Sequence, residues 1–290
     1  MSVFTKLLAL CAAPFAAACL HAAPASLDLS FGAGTGTAIV PIDSNGDVLS
    51  SMAIQPDGRI LLGGYCVVAG SNNFCMARLL DNGTLDTSFG TGGKVTTAIG
   101  ANNNDRASAM ALLPDGRIVL AGTCHNGNDF DICVARYLSN GSLDTQFNST
   151  GKRVLPGDGT KNEYGRAVAV QNDSKIVIAG YRSETAEDNF LVIRLLADGS
   201  FDTSFNTSGS RSVNVIAGVN DQASAVAVAV DRSIVVAGTC TQATQRFCVV
   251  RLTSTGATDT GFNGTVQLVL TQLAVDSNDQ LTAFDIQTTG

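Results

Sequence analysis

Tryptophan is absent from this 290-residue chain, histidine occurs twice, and aromatic residues amount to 6%. So few large flat side chains, with much Gly, Ala, Val, Ser and Thr, argue for closely stacked strands rather than helices. With His21 near the start and His125 the only other histidine, a multi-histidine metal centre is excluded. Basic residues are outnumbered, 18 Lys and Arg against 25 Asp and Glu, for a formal charge of −7. An acidic chain repels phosphate backbones, so nucleic acid is not an expected partner. GxSxG, HExxH and glycine-rich phosphate motifs are also missing. Beyond residue 20 no apolar run is long enough to cross a bilayer.

The start of the chain reads differently from the rest. Lys6 precedes the apolar run Leu7 to Leu20, and the small residues Ala22-Ala23-Pro24-Ala25 follow. That order marks a secretory signal peptide, residues 1–23, with cleavage expected near Ala22 or Ala25. A second reading takes Ala16-Ala17-Ala18-Cys19 as a lipoprotein box with Cys19 acylated, although the usual leucine three residues earlier is missing. Either way the expectation is export to the periplasm, the cell surface or the medium. Residues 24–290 then form one repeat domain.

What the chain does have is a period. The turn Leu85-Asp86-Thr87-Ser88-Phe89 has counterparts whose aspartates are Asp28, Asp144, Asp202 and Asp259, so successive steps are 58, 58, 58 and 57 residues. A fixed step of this size marks a repeat architecture in which each unit buries its apolar face against its neighbours. The units run at about 26–83, 84–141, 142–199 and 200–256, with a partial fifth at 257–290.

One unit contains four β-type runs: Lys94 to Ile99, Ala107 to Leu113, Arg117 to Cys124 and Phe130 to Leu138. The third is apolar on both faces, as suits a sheet sandwiched between other sheets. Asp115-Gly116 between the second and third runs predicts a tight two-residue hairpin, as does Asp57-Gly58. Gly64, Gly122, Gly180 and Gly238 recur inside the third run and signal a bulge or a close backbone approach. Stacked four-stranded antiparallel units describe an all-β, propeller-like array. An open arc and a β-solenoid are the alternatives. In the fifth unit, Val266 to Leu270 and Leu281 to Gln287 supply two strands before the chain stops at Gly290, and Asp285 falls where Ala53, Ala111, Ala169 and Ala227 stand.

The run Leu-Asp-Thr-Ser-Phe-Gly-Thr-Gly-Gly at 85–93, Pro-Asp-Gly-Arg-Ile-Val-Leu-Ala-Gly at 114–122 and Val-Ala-Arg at 134–136 together resemble the delta-60 repeat. The resemblance covers nearly all of the chain after the leader. It implies an exported bacterial tandem-repeat protein, propeller-forming and of unknown function, with no catalytic residues to carry over.

Eight cysteines are present, and Cys11 and Cys19 lie in the leader. The other six form pairs at the end of the third run and the start of the fourth: Cys66 with Cys75, Cys124 with Cys133, and Cys240 with Cys248. In the remaining unit both places change together, to Arg182 and Leu191. Joint loss of both members predicts cross-hairpin disulfides in an oxidising compartment. The spacings of nine and eight do not suit a zinc or CxxC redox site.

An acidic residue opens the second run of each unit: Asp47, Asp105, Glu163, Asp221 and Asp279. One reading makes these an acidic rim that holds Ca²⁺ or meets cationic ligands. The other makes them capping carboxylates that repeat because the unit repeats, and with it no cofactor is expected. Arg78, Arg136, Arg194 and Arg251 each stand eight residues before the turn aspartate, which suggests a structural pair; the sharper alternative is an anion site. Phe31, Phe89, Phe147, Phe205 and Phe262 suggest packing between units.

Recognition is expected where the copies differ. The loops at 67–74, 125–132, 183–190 and 241–247 are polar and change each time, with Tyr65 and Tyr181 beside them as contact candidates. His125 with Asp129 and Asp131 is a weaker, metal-binding candidate. The favoured function is an exported scaffold that presents variable loops to a protein or glycan. A hydrolase or lyase using the acidic rim, and a remnant of a longer array, are the alternatives.

Overall fold

A computed structural model describes residues 26–43, 46–102, 104–157, 159–241 and 244–262, and the backbone of 268–269. The described residues form four antiparallel sheets of four strands each and no helix. The first sheet contains β1 (Asp47–Ile54), β2 (Ile60–Val68), β3 (Ser71–Leu79) and β4 (Lys94–Thr97). The second contains β5 (Arg106–Leu112), β6 (Ile118–His125), β7 (Phe130–Tyr137) and β8 (Lys152–Leu155). The third contains β9 (Glu163–Val170), β10 (Ile176–Ser183), β11 (Asp188–Leu195) and β12 (Ser210–Val213). The fourth contains β13 (Asn220–Val228), β14 (Ile234–Thr241), β15 (Gln245–Leu252) and β16 (Leu268–Val269). Each sheet is a meander in chain order, which is a propeller blade rather than a solenoid coil.

The sheets pack face to face, and three apolar cores lie between them. Leu61, Phe74 and Met76 meet Ile118 and Leu120 between the first two sheets. Val119 and Val134 meet Ile176 and Ile193 between the next two. Val177 and Val192 meet Ile234 and Val236 between the last two. This is why β6 and β10 are buried along almost their whole length, whereas β1, in the first sheet, is mostly exposed. Segment 38–42 lies against that first sheet and leaves a mainly aliphatic cavity of about 250 Å³ beside Val48, Leu49 and Leu62.

The sheets run out of step with the sequence units. Lys94 to Thr97, read as the first strand of its own unit, pairs instead with β3 of the sheet before it, Phe74 opposite Thr97. The same holds for β8 and β12. The cause is the turn motif at 85–93, which folds the chain back onto the strand it has just left. Leu268–Val269, from the partial fifth unit, likewise pairs with Cys248 and Val249 and completes the fourth sheet. Leu281 to Gln287, Asp279 and Asp285 lie outside the described residues.

The Asp-Gly hairpins also differ from the two-residue form. The Gly58 amide donates to the Gln55 carbonyl, which puts Pro56 and Asp57 at the centre of the turn, and only Gly58 takes a left-handed conformation, with φ 84°. This is a type I turn followed by a glycine bulge. Ser174 and Arg232 hold the same left-handed position, at φ 64° and 66°, without being glycine.

The recurring glycines sit where two backbones touch. A Cβ at Gly122 would lie 2.0 Å from the Arg106 carbonyl oxygen, and one at Gly180 would lie 1.8 Å from that of Tyr164. Opposite each glycine the innermost strand carries one extra residue: Ser50, Ser108, Arg166 and Ser224. Such a bulge bends the strand and re-aims the extra side chain.

Candidate functional site

The bulged residues line a single cavity shared by all four sheets. Its volume is about 510 Å³, and its walls include Ser50, Tyr65, Arg106, Ser108, Arg166, Tyr181, Gln222, Ser224 and Thr239. All lie near the start of an innermost strand or the end of its neighbour. In the register, Tyr65 opposes Val48, Thr123 opposes Arg106, Tyr181 opposes Tyr164 and Thr239 opposes Gln222. The hairpins between the second and third strands share that end, so cavity and variable loops face the same way.

Two arginines give the cavity its charge. The Arg106 guanidinium lies 5.5 Å from the centre of the Tyr65 ring. That of Arg166 lies 5.4 Å from the Tyr181 ring, and its Nη2 donates to the Tyr181 hydroxyl at 3.1 Å. Tyr181 stacks on Tyr164 at 4.8 Å, Tyr164 on Phe130 at 5.8 Å, and His125 meets the edge of Phe130 at 5.0 Å. A ladder of rings therefore runs from the β6–β7 hairpin into the cavity. Tyr65 and Tyr181 are the contact candidates of the sequence. Arg106 and Arg166 escaped that reading, although a signal exists: every fifty-eighth residue around them is serine, or differs in each copy.

The acidic positions do not form a solvated rim. Asp105 and Asp221 are fully buried, and Glu163 is 1% exposed; Asp47 alone is exposed, and Asp279 lies outside the described residues. Asp105 accepts from the amides of Ile99 and Gly100, Asp221 from those of Val215 and Ile216, and Asp47 from those of Ile42 and Asp43. Each caps the chain as it enters an innermost strand. The asparagine before the acid reaches the previous sheet: Asn162 Oδ1 accepts from the Phe130 amide, and Asn220 Oδ1 from the Asp188 amide. Glu163 pairs at 2.8 Å with Arg182, which stands where the other sheets have a cystine. The longer acid and the arginine thus accompany each other in the one sheet that lacks a disulfide. The bridges Cys66–Cys75, Cys124–Cys133 and Cys240–Cys248 span their hairpins with Cα separations of 5.8, 5.8 and 5.9 Å.

Burial pushes the Asp221 carboxyl up to about 6; the two amides work against this, and Glu187 adds to it. The folded chain therefore holds that proton more tightly than the unfolded chain, whose value is near 3.8. The contribution is complete below the unfolded value and is lost as pH rises to about 6, at up to about 1.4 kcal/mol per pH unit. Asp105 and Asp131 shift in the same direction, also through burial. Urea titrations between pH 4 and pH 6 are expected to show stability falling with pH, with a shallower fall in Asp221→Asn. An equal slope in the two proteins refutes the assignment.

Arg78, Arg136, Arg194 and Arg251 form clamps. Their Nε atoms lie 2.9, 2.8, 2.8 and 2.6 Å from Asp86, Asp144, Asp202 and Asp259. Arg78 also donates to the Ser139 carbonyl in the next sheet's turn, Arg136 to that of Ala197 and Arg194 to that of Ser254. The guanidiniums lie over Phe89, Phe147, Phe205 and Phe262. Phe89 in turn packs on Gly141, and Phe31 on Gly83. Asp28 has no arginine partner among the described residues and is bonded by Ser30. Burial works against the charged form of Asp202, but Ser204, Arg194 and Lys175 outweigh it and hold the carboxyl down to about 2.

Among the described residues no group of three or more His, Cys, Asp or Glu side chains is placed to hold a metal ion. Asp131 is buried and, like Asp129, accepts from Asn126, while His125 Nδ1 accepts from the Gly127 amide. No helix among the described residues is long and apolar enough to cross a membrane.

Four antiparallel sheets, clamped in series around a shared cavity, define a β-propeller-like repeat domain. The family model described as "Domain of unknown function (DUF5122) beta-propeller" matches the chain in four tandem segments, at 55–89, 113–147, 171–205 and 231–262. Each segment runs from the inner hairpin through the two central strands to the clamp phenylalanine. Arg106, Arg166, Ser108 and Ser224 fall between the segments, and Ser50 precedes the first. Among solved structures, Sqt1 of Chaetomium thermophilum bound to the N-terminus of the ribosomal protein L10 is similar at a TM-score of 0.37 and 14% identity, over 83% of this chain and 67% of that one. A second structure of Sqt1 from the same organism gives 0.37 and 15%, over 83% and 64%. The chain thus spans about two thirds of their length, and both likenesses are too distant to bear on the site. No curated protein matches the chain.

Proposed function

We propose that the chain is an exported binding scaffold that meets a protein or glycan through the end where the cavity opens and the variable hairpins gather. One observation carries the reading. The repeated residues, the clamp Arg, Asp and Phe and the bulge glycine, hold sheet to sheet, while the variable hairpins and the cavity gather at a single end. Export is supported by the leader at 1–23 and by three cystines, which persist in oxidising compartments. The acids that a hydrolase or lyase would need are turned to backbone amides or to Arg182.

Exchanging hairpin tips tests the reading. The tips at 126–129 and 184–187 have equal length and close through the same hydrogen bond, 3.0 Å from the Asn126 amide and 2.8 Å from the Glu184 amide. Swapping them leaves the strand register alone. On glycan and peptide arrays the swapped chain is expected to lose or change the native pattern while it stays folded, with a lower melting temperature because Asn126 no longer donates to the buried Asp131. An identical pattern in both proteins removes the support for the hairpins as a recognition surface.

A further inference from the structure

We infer that the central cavity binds a short acidic saccharide, with the sugar carboxylate held between Arg106 and Arg166. The inference rests on the scaffold reading above and names the ligand class for its central part.

Charge sets these two arginines apart from the acidic chain around them. Among the described residues no carboxylate lies within ion-pair distance of either arginine, although the chain carries a net −7. The arginines of the clamps, and Arg59, Arg117 and Arg182, all have one; Arg153, Arg211, Arg232 and Arg246 have none among the described residues either, but they do not line the cavity. Arg106 and Arg166 instead lie over tyrosine rings in a concave site. A guanidinium left without an acid presents a planar fork that matches one carboxylate through two parallel hydrogen bonds.

Their positions also break the repeat. At the bulge, three sheets supply serine and the third supplies Arg166. At the place of Arg106 the other sheets have Val48, Tyr164 and Gln222. A structural part would repeat, as the clamp arginine does. These two do not, so the scaffold does not account for them.

The rest of the wall is rich in hydroxyls. Ser50, Ser108, Thr239 and the hydroxyl of Tyr65 offer groups that both donate and accept, which suits a ligand dense in hydroxyls. Tyrosine adds a flat apolar face beside a polar tip. The volume of about 510 Å³ falls in the range of small-ligand sites. The acidic exterior disfavours a long polyanion, whereas the local arginine pair admits a single small anion.

Titration calorimetry of the purified chain tests this, with a galacturonic acid disaccharide and the neutral galactose disaccharide of the same linkage as probes. The acidic sugar is expected to bind at least about tenfold more tightly, with both Arg106→Gln and Arg166→Gln removing most of that difference. Both side chains are exposed, so the melting temperature is expected to hold in each variant. Equal affinity for the two sugars, unchanged binding in both variants, or equally good competition by inorganic sulfate overturns the inference. The hairpin-tip exchange leaves both arginines in place, so uronate binding is expected to survive it. Failure of the cavity and failure of the hairpin surface therefore appear in different proteins.

Discussion

Asp144→Ala is expected to cost about 3–5 kcal/mol of stability, because it strands a buried guanidinium. Arg136 is 1% exposed, and its Nε lies 2.8 Å from Asp144 Oδ2. The other end of that guanidinium donates to the Ala197 carbonyl of the following sheet, and its face covers Phe147. Loss of the carboxylate thus loosens one sheet internally and also weakens its hold on the next. Asp28→Ala is the control, because that aspartate is exposed and bonded by Ser30. It is expected to cost far less, because its hydrogen bonds to Ser30 are made in water and water replaces them when the carboxylate is removed. Replacing both partners, Arg136→Met with Asp144→Leu, should cost less than Asp144→Ala alone, since no charge is then left buried. Guanidinium titrations of the three proteins decide the matter. Equal losses in Asp144→Ala and Asp28→Ala dispose of the clamp.

Removing the second disulfide, as Cys124→Ala with Cys133→Ala, is expected to cost roughly 3 kcal/mol on the chain-entropy account of a loop this short. Cys124 and Cys133 are fully buried, so the bridge is shielded until the hairpin opens. A thiol reductant should therefore leave the native chain oxidised and lower the unfolding midpoint only when denaturant is present. The third sheet has no cystine and uses Arg182 and Glu163 at the same level. Arg182→Ala should then destabilise that sheet markedly, because it leaves the buried Glu163 carboxylate without its cation, and Arg182→Met with Glu163→Gln should cost less. Reduction of all three bridges in native buffer, at the rate of free cystine, contradicts this account of their burial.

Most of the scaffold was legible in the sequence because repetition exposes it. Leu85 to Phe89 and its counterparts fixed the period, the twofold apolar third run announced sandwiched sheets, and the glycines at 64, 122, 180 and 238 marked a close backbone approach. Strand ownership was not legible. Lys94 to Thr97 has the same local pattern whether it pairs forward or backward, and only the turn at 85–93 closing on β3 settles it. The Asp-Gly hairpin was misjudged because the preceding Pro56 confines φ to the type I turn, which moves the left-handed residue to Gly58 alone. The cavity was half visible. Tyr65 and Tyr181 stood out beside variable loops, but Arg106 and Arg166 were masked by a strand whose alternation is interrupted at the bulge. One extra residue reverses which face a side chain meets, and alternation alone does not report it.

The borrowed fourth strand sets how such an array grows or shrinks. Every module owes its outer edge to its successor, so a piece cut out at the sequence period leaves with three strands of one blade and an orphan of another. Insertion or loss of one full period, in contrast, leaves every junction chemically the same, because each donor edge meets an acceptor of the same kind. Copy number is then free to change in steps of one period, while insertion or loss of any other length breaks the blades at the junction.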